Sequence, residues 1–171
     1  MTATVHQAAP EDLFAIEQTL LKAAELADFP VPSVERPYVY NKLLQLIDHR
    51  LVWVAVGESR VVGCLILEHA YWHWNSKVWF LTNPHFWVEP KYRKGGTAAK
   101  LLQCAKQCAV ELKVPLYLEL SFGGLDSHLK DRFVRMQGLA YKGGRFCFDP
   151  AEARREQPSS LLGSSLRAAN E

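Results

Sequence analysis

Six consecutive residues, Arg93-Lys94-Gly95-Gly96-Thr97-Ala98, combine two cations, two glycines and the opening of a helical pattern. Such a run can bind an anion by simple physics. The first N–H groups of a helix have no internal acceptor, and the aligned peptide dipoles place partial positive charge there. Gly95 and Gly96 bring no Cβ to block a phosphate. Ala98 keeps the first turn small, and Arg93 can grip a phosphate through paired N–H bonds. The same residues also suit a plain glycine turn with solvated bases. Their spacing is neither Gly-x-x-x-x-Gly-Lys-Ser/Thr nor Gly-x-Gly-x-x-Gly, so it matches neither the Walker loop nor the dinucleotide fingerprint.

Other reactive side chains carry weaker signals. Cys64, Cys104, Cys108 and Cys147 form no Cys-x-x-Cys pair. Cys104 and Cys108 share a helix face and could hold half a metal site. The reading preferred here is that they are small apolar packing groups. His69 and His73 are four apart but lack the Glu of a zincin motif. No metal is expected.

The anion loop needs elements to position it. Val78 to Val88 reads as a long aromatic strand, with Pro84 marking a bulge. Thr97 to Lys113 reads as a helix whose stripe is Ala98, Leu101, Leu102, Ala105, Cys108, Ala109 and Leu112. Upstream, Thr4 to Ala8 is a strand. Pro10-Glu11-Asp12 starts a helix that runs to about Ala27 and buries Leu13, Ile16, Leu20 and Leu21. Phe29 to Pro37 is a loop. Tyr38 to Asp48 is a second helix, with Leu43, Leu44 and Ile47 inward. Leu51 to Val56 and Arg60 to Trp72 form a hairpin about Gly57-Glu58-Ser59. Downstream, Leu116 to Leu120 is a strand and Leu125 to Gln137 a helix ended by Gly138. Leu139 to Asp149 holds one or two final strands. The order predicts an α/β layer protein with a mixed sheet.

The bulk numbers agree with one domain. The chain has 171 residues, 49% of them hydrophobic and 22% charged. That gives a domain at 1–149 and a polar, Ser-rich, mobile tail at 150–171. A net charge of +2 is too small for an extended basic surface, so any anion site must be local. No run reaches the ~18 apolar residues of a membrane span, and no signal peptide is visible. The expected location is the cytoplasm, with neither nucleic acid nor membrane as a partner.

Val88-Glu89-Pro90-Lys91-Tyr92-Arg93-Lys94-Gly95-Gly96-Thr97-Ala98 resembles the coenzyme A pyrophosphate signature of GNAT-superfamily N-acetyltransferases, Val-x-Pro followed by Arg-x-x-Gly-x-Gly/Ala. The element order from about residue 3 to 149 resembles the family too, and Gly138-Leu139 looks like its usual Gly-Phe. The resemblance implies a single-domain, three-layer fold. Its mixed, mostly antiparallel sheet contains one splayed parallel strand pair, with about four helices around it. Acetyl-CoA would be the acyl donor and an amine the acceptor. The pantetheine arm would lie between the two parallel strands, near Phe86, Trp87 and Val88. Arg93, Lys94, Gly95, Gly96, Thr97 and Ala98 would hold the pyrophosphate. Ser127 falls where the family often has an Asn that touches the cofactor. Dimers are a common arrangement in the family.

Acetyl transfer needs a neutral amine, a donor for the oxyanion and a route for a proton to the thiolate. The resemblance implies a backbone N–H from Trp87 or Val88 for the oxyanion. The family's catalytic Glu position falls near Thr82 or Asn83, and neither takes a proton at neutral pH. His85 and Glu119 are the nearest titratable candidates, with Asn83 a candidate by position. The family's Tyr acid is replaced by Val134; Tyr141 and Ser127 are substitutes the sequence does not choose between. Glu89 reads as a solvated turn residue. Two readings compete with an N-acetyltransferase: a GNAT-like module that binds acyl-CoA or a protein with little turnover, and a nucleic-acid binder. The second is opposed by the weak charge.

Overall fold

A computed structural model describes residues 1–26, 33–119 and 127–139 of the chain. The expected strands from residue 140 onward, the tail and residues 29–32 of the Phe29–Pro37 loop lie outside these residues. Met1–Gly138 forms one compact unit; Leu139–Glu171 forms a second, described only at its first residue.

The elements are β1 (Thr4–Gln7), a 3-10 turn (Pro10–Asp12), α1 (Leu13–Glu25), α2 (Arg36–Asp48), β2 (Val52–Gly57), β3 (Arg60–Trp72) and β4 (Asn75–Val88). They continue with α3 (Pro90–Arg93), α4 (Thr97–Leu112), β5 (Leu116–Tyr117) and α5 (Ser127–Met136). The five strands lie in chain order, antiparallel except for β4–β5, which is parallel. Among the described residues no helix is long and apolar enough to cross a membrane.

The near-continuous apolar runs of β2 and β3 are buried on both faces, as expected for strands between helix layers. Ile66 faces His85 and Glu68 faces Thr82 on β4, so β4 has one extra residue there. Asn83 and Pro84 form the bulge expected at Pro84, where a missing N–H would interrupt a regular ladder.

One face of the sheet can be assigned from contacts. His85 lies 3.4 Å from Thr19 of α1, and Lys42 of α2 pairs with Glu68 at 3.2 Å. Cys64, Ile66, Glu68, Phe80, Thr82, His85 and Trp87 therefore share the α1/α2 face, because opposed residues and every second residue point the same way.

Several helix faces differ from the sequence reading. α1 buries Ile16, Glu17, Thr19 and Ala23. The carboxylate of Glu17 is buried because the Arg36 Nε donates to it at 2.6 Å and the Tyr40 hydroxyl at 3.0 Å. These bonds tie α1 to α2 and, led by the Arg36 contact, hold the Glu17 carboxyl below its ordinary pKa. α2 buries Leu43, Leu46 and Ile47, while Leu44 is exposed. α4 turns Leu112 outward but buries Leu101, Leu102, Ala105, Cys108 and Ala109.

Candidate active site: a strand fork leading to a glycine-capped helix

β4 and β5 pair only at Leu81–Leu116 and Thr82–Tyr117. At the next residue a side chain replaces the ladder. The Asn83 Nδ2 donates to the Glu119 carbonyl at 2.8 Å, and the Glu119 N–H donates to the Asn83 Oδ1 at 2.7 Å. A primary amide presents the same donor and acceptor as a peptide unit, so it satisfies both groups. It also holds the two backbones apart by the length of its side chain, and β4 continues past this point to Val88. Asn83 thus acts as a wedge, a role the sequence reading did not assign to it. The expected strand to Leu120 is shorter in the structure, ending at Tyr117.

Beyond the wedge, β4 keeps β3 on one side. The Glu89 N–H donates to the Val62 carbonyl, which sets the alternation. Trp87 and His85 direct their backbone toward β3, whereas Phe86 and Val88 direct theirs toward the fork. Of the two N–H groups named from the sequence, that of Val88 faces the fork and that of Trp87 does not. The Trp87 ring is buried on the α1/α2 face, with its Nε1 unpartnered.

At the end of β4, Pro90–Arg93 forms a single helical turn that the sequence reading did not name. The Arg93 Nε donates to the Val88 carbonyl at 2.7 Å. Partial burial lowers the pKa of Arg93, so its remaining guanidinium N–H groups stand to gain more from an anion than a fully solvated Arg would. Gly96 caps α4 with φ +76, a left-handed conformation that glycine adopts at no steric cost, and the space around it is open. The N–H groups of Thr97, Ala98 and Ala99 open the helix and find no acceptor within it. Lys94 is exposed. The Thr97 hydroxyl is buried without a partner, so this residue offers a ligand its backbone rather than its hydroxyl. Gly95 has another reason to be glycine: a Cβ there would overlap the Met1 carbonyl.

The β2–β3 turn braces this loop. A Cβ on Gly57 would come within 2.6 Å of the Tyr92 ring, which is fully buried against it. Lys91 donates to Glu58 at 2.9 Å, and Arg60 pairs with Glu89 at 2.6 Å. Glu89 is therefore an ion-pair partner and not a solvated turn residue. The charge of Lys91 is directed to Glu58, away from any ligand. None of these pairings has a signal in the sequence, since the partners come from separate segments.

The titratable candidates separate. His85 is 3% exposed under α1, and burial pushes its pKa down to about 4. The Thr19 hydroxyl donates to the Ile16 carbonyl at 2.8 Å, so toward His85 it accepts from Nε2–H. Glu119 stands at the fork, its main chain held by Asn83. Ser127 begins α5, and Val134 is half-buried within it. The left-handed Gly138, φ +77, closes that helix as expected. Tyr141 lies outside the described residues.

The comparisons agree with this architecture. Residues 48–130 match the model of the acetyltransferase (GNAT) domain family. An aminoglycoside acetyltransferase from an uncultured soil metagenomic sample, in complex with trehalose, has a similar structure. It is 16% identical with a TM-score of 0.59, over 86% of this chain and 95% of that one. A predicted acetyltransferase with acetyl-CoA from Clostridium acetobutylicum is 13% identical with a TM-score of 0.61, over 88% and 98%. A Trypanosoma brucei acetyltransferase is 15% identical with a TM-score of 0.62, over 86% and 99%. No curated protein matches the chain in sequence. The domain match over residues 48–130 and the shared fold together support the resemblance to the GNAT superfamily.

Proposed function

We propose that this chain is an N-acyltransferase that moves an acetyl group from acetyl-CoA to an amine by direct attack in a ternary complex. The observation that carries the reading is the continuity of fork and loop. β4 leaves β5 at Asn83, presents the Phe86 and Val88 backbone to the gap, and ends at the open N-terminus of α4. A pantetheine arm could bond the fork-facing backbone of β4, as a β-strand partner would. The pyrophosphate would meet the amides of Thr97, Ala98 and Ala99, with Arg93 and Lys94 at the rim.

In the transfer step the amine nitrogen bonds the thioester carbon, the oxyanion collapses, and the C–S bond breaks. The amine proton leaves to a base, and the thiolate takes up a proton. The Val88 or Phe86 N–H is the proposed oxyanion donor. Glu119 is the proposed base, because Asn83 is engaged as a wedge and His85 is shut beneath α1. His85 is then a packing group, neutral at physiological pH.

A second reading has its own support. Asn83 and His85 are both engaged structurally, the first with the Glu119 main chain and the second beneath α1, which leaves the chemistry short of proton acceptors named from the sequence. The chain would then be a GNAT-type module that holds acyl-CoA with slow turnover. In either reading we place the protein in the cytoplasm, acting without nucleic acid, membrane or metal. A homodimer is compatible with both.

Calorimetric titration with acetyl-CoA, on the native chain and on Gly96→Glu, tests the donor site. Micromolar binding is expected, weakened about a hundredfold or more in the variant, where a carboxylate faces the phosphates from a strained backbone. Absent binding in the folded native chain would overturn both readings. Binding without thiol release across an amine panel would favour the module.

A further inference from the structure

Beyond α2, the α1/α2 face of the sheet carries a group of aromatic rings beside the fork. Phe80 lies two residues before Thr82 on β4, and Tyr117 pairs with Thr82, one residue before the Asn83 wedge. Trp72 and Trp74 stack with centroids 5.3 Å apart and an interplanar angle of 29°. Trp72 meets Phe80 at 5.1 Å and Tyr117 edge-on at 5.8 Å; Phe80 meets Tyr117 edge-on at 5.0 Å. The four rings form one continuous wall that ends at the fork. Trp74 is 78% exposed and Tyr117 37%. Aromatic surface of this extent, left in water beside a catalytic gap, favours a ligand that covers it.

We propose that this wall is the acceptor subsite and that the acceptor is a primary amine joined by a short alkyl chain to an aromatic ring. The inference rests on the acyltransferase reading above. It goes further, because the wall states which amine fits. Offset and edge-on ring contacts are what such a surface offers. A polycationic acceptor would instead need carboxylates without a cation of their own. Near this face, the Glu17 carboxylate is held by Arg36 and Tyr40, and that of Glu68 by Lys42. Among the described residues, these two carboxylates of the α1/α2 face are thus already paired, and what the face presents beside the fork is rings. The ring would lie on Trp74 and Tyr117 and the alkyl chain would point along Thr82, bringing the amine to the fork near Glu119.

The test uses the full chain with 2-phenylethylamine and tryptamine as aryl probes, and spermidine and kanamycin as polycations. Binding is measured by calorimetry with CoA present, and turnover by thiol release. The variants are Trp74→Ala and Tyr117→Ala, neither of which touches the pyrophosphate loop. Aryl amines are expected to bind and to have kcat/KM at least about tenfold above the polycations. Each variant is expected to weaken aryl-amine binding and raise KM about tenfold while leaving acetyl-CoA affinity unchanged. Preference for the polycations, or variants that leave aryl-amine affinity unchanged, would overturn the proposal. Acetyl-CoA binding without aryl-amine binding overturns it alone. Aryl-amine binding lost in the variants, with no acetyl-CoA binding, supports the ring site and overturns the transferase reading. If light scattering shows that the variants break a dimer while amine affinity is unmoved, the wall is a self-association surface and the proposal fails.

Discussion

His85 shows how burial changes what a residue can do. Its reference pKa suits proton transfer, but beneath α1 desolvation lowers it from 6.5 to about 4. The unfolded chain therefore binds a proton across that window and the folded chain does not. Stability is complete above the unfolded value and is lost as pH falls toward the folded one. Between about pH 7 and about pH 5 the loss should be on the order of 2 kcal/mol. Glu17 separates cleanly: its folded pKa lies below 4.5, so its contribution is lost only at lower pH. Urea unfolding at the two pH values should show this loss in the native chain and most of it abolished in His85→Gln. An unchanged pH dependence in the variant would show that His85 does not titrate as its burial implies.

Two turns of the chain decide the geometry of the elements. At the fork, Asn83 replaces one step of a ladder with two side-chain bonds. Asn83→Ala leaves the Glu119 N–H and C=O without these partners and should cost about 1–3 kcal/mol in urea unfolding. Acetyl-CoA affinity should fall with it, since the gap is no longer held at one width. Asn83→Asp keeps an acceptor for the Glu119 N–H but sets a carboxylate against its carbonyl, so it should not rescue. Loss of stability with donor affinity intact would make the wedge structural only. At the β2–β3 turn, Glu58 and Ser59 both adopt positive φ, 53° and 59°. Such a two-residue hairpin favours Asn-Gly, and each non-glycine residue is strained. Glu58 is used there to hold Lys91. Ser59 makes no such contact, so Ser59→Gly should raise stability by about 1 kcal/mol, read as a higher Tm. A lowered Tm would mean that the serine has an unrecognised role in the turn.

Across the whole molecule, the proposed donor site is local: the net charge is only +2, and the cations assigned to it lie within one short segment. Among the described residues, the order of the main strands and helices, the bulge at Pro84 and the glycine-capped helix were legible in the sequence. Each rests on local physics: hydrophobic period, the missing N–H of proline, and the unpaired amides that open a helix. Tertiary structure alone decided the rest. Asn83 meets Glu119 across 36 residues of chain and Thr19 meets His85 across 66. The periodicity of α1 cannot show that a buried Glu17 finds Arg36 and Tyr40 on another helix. Nor can the strand pattern show that Trp72, Trp74, Phe80 and Tyr117 form one wall, since β4 and β5 meet only after α4 has crossed between them. A residue's neighbours set its charge state, its partners and its exposure, and here those neighbours come from distant parts of the chain.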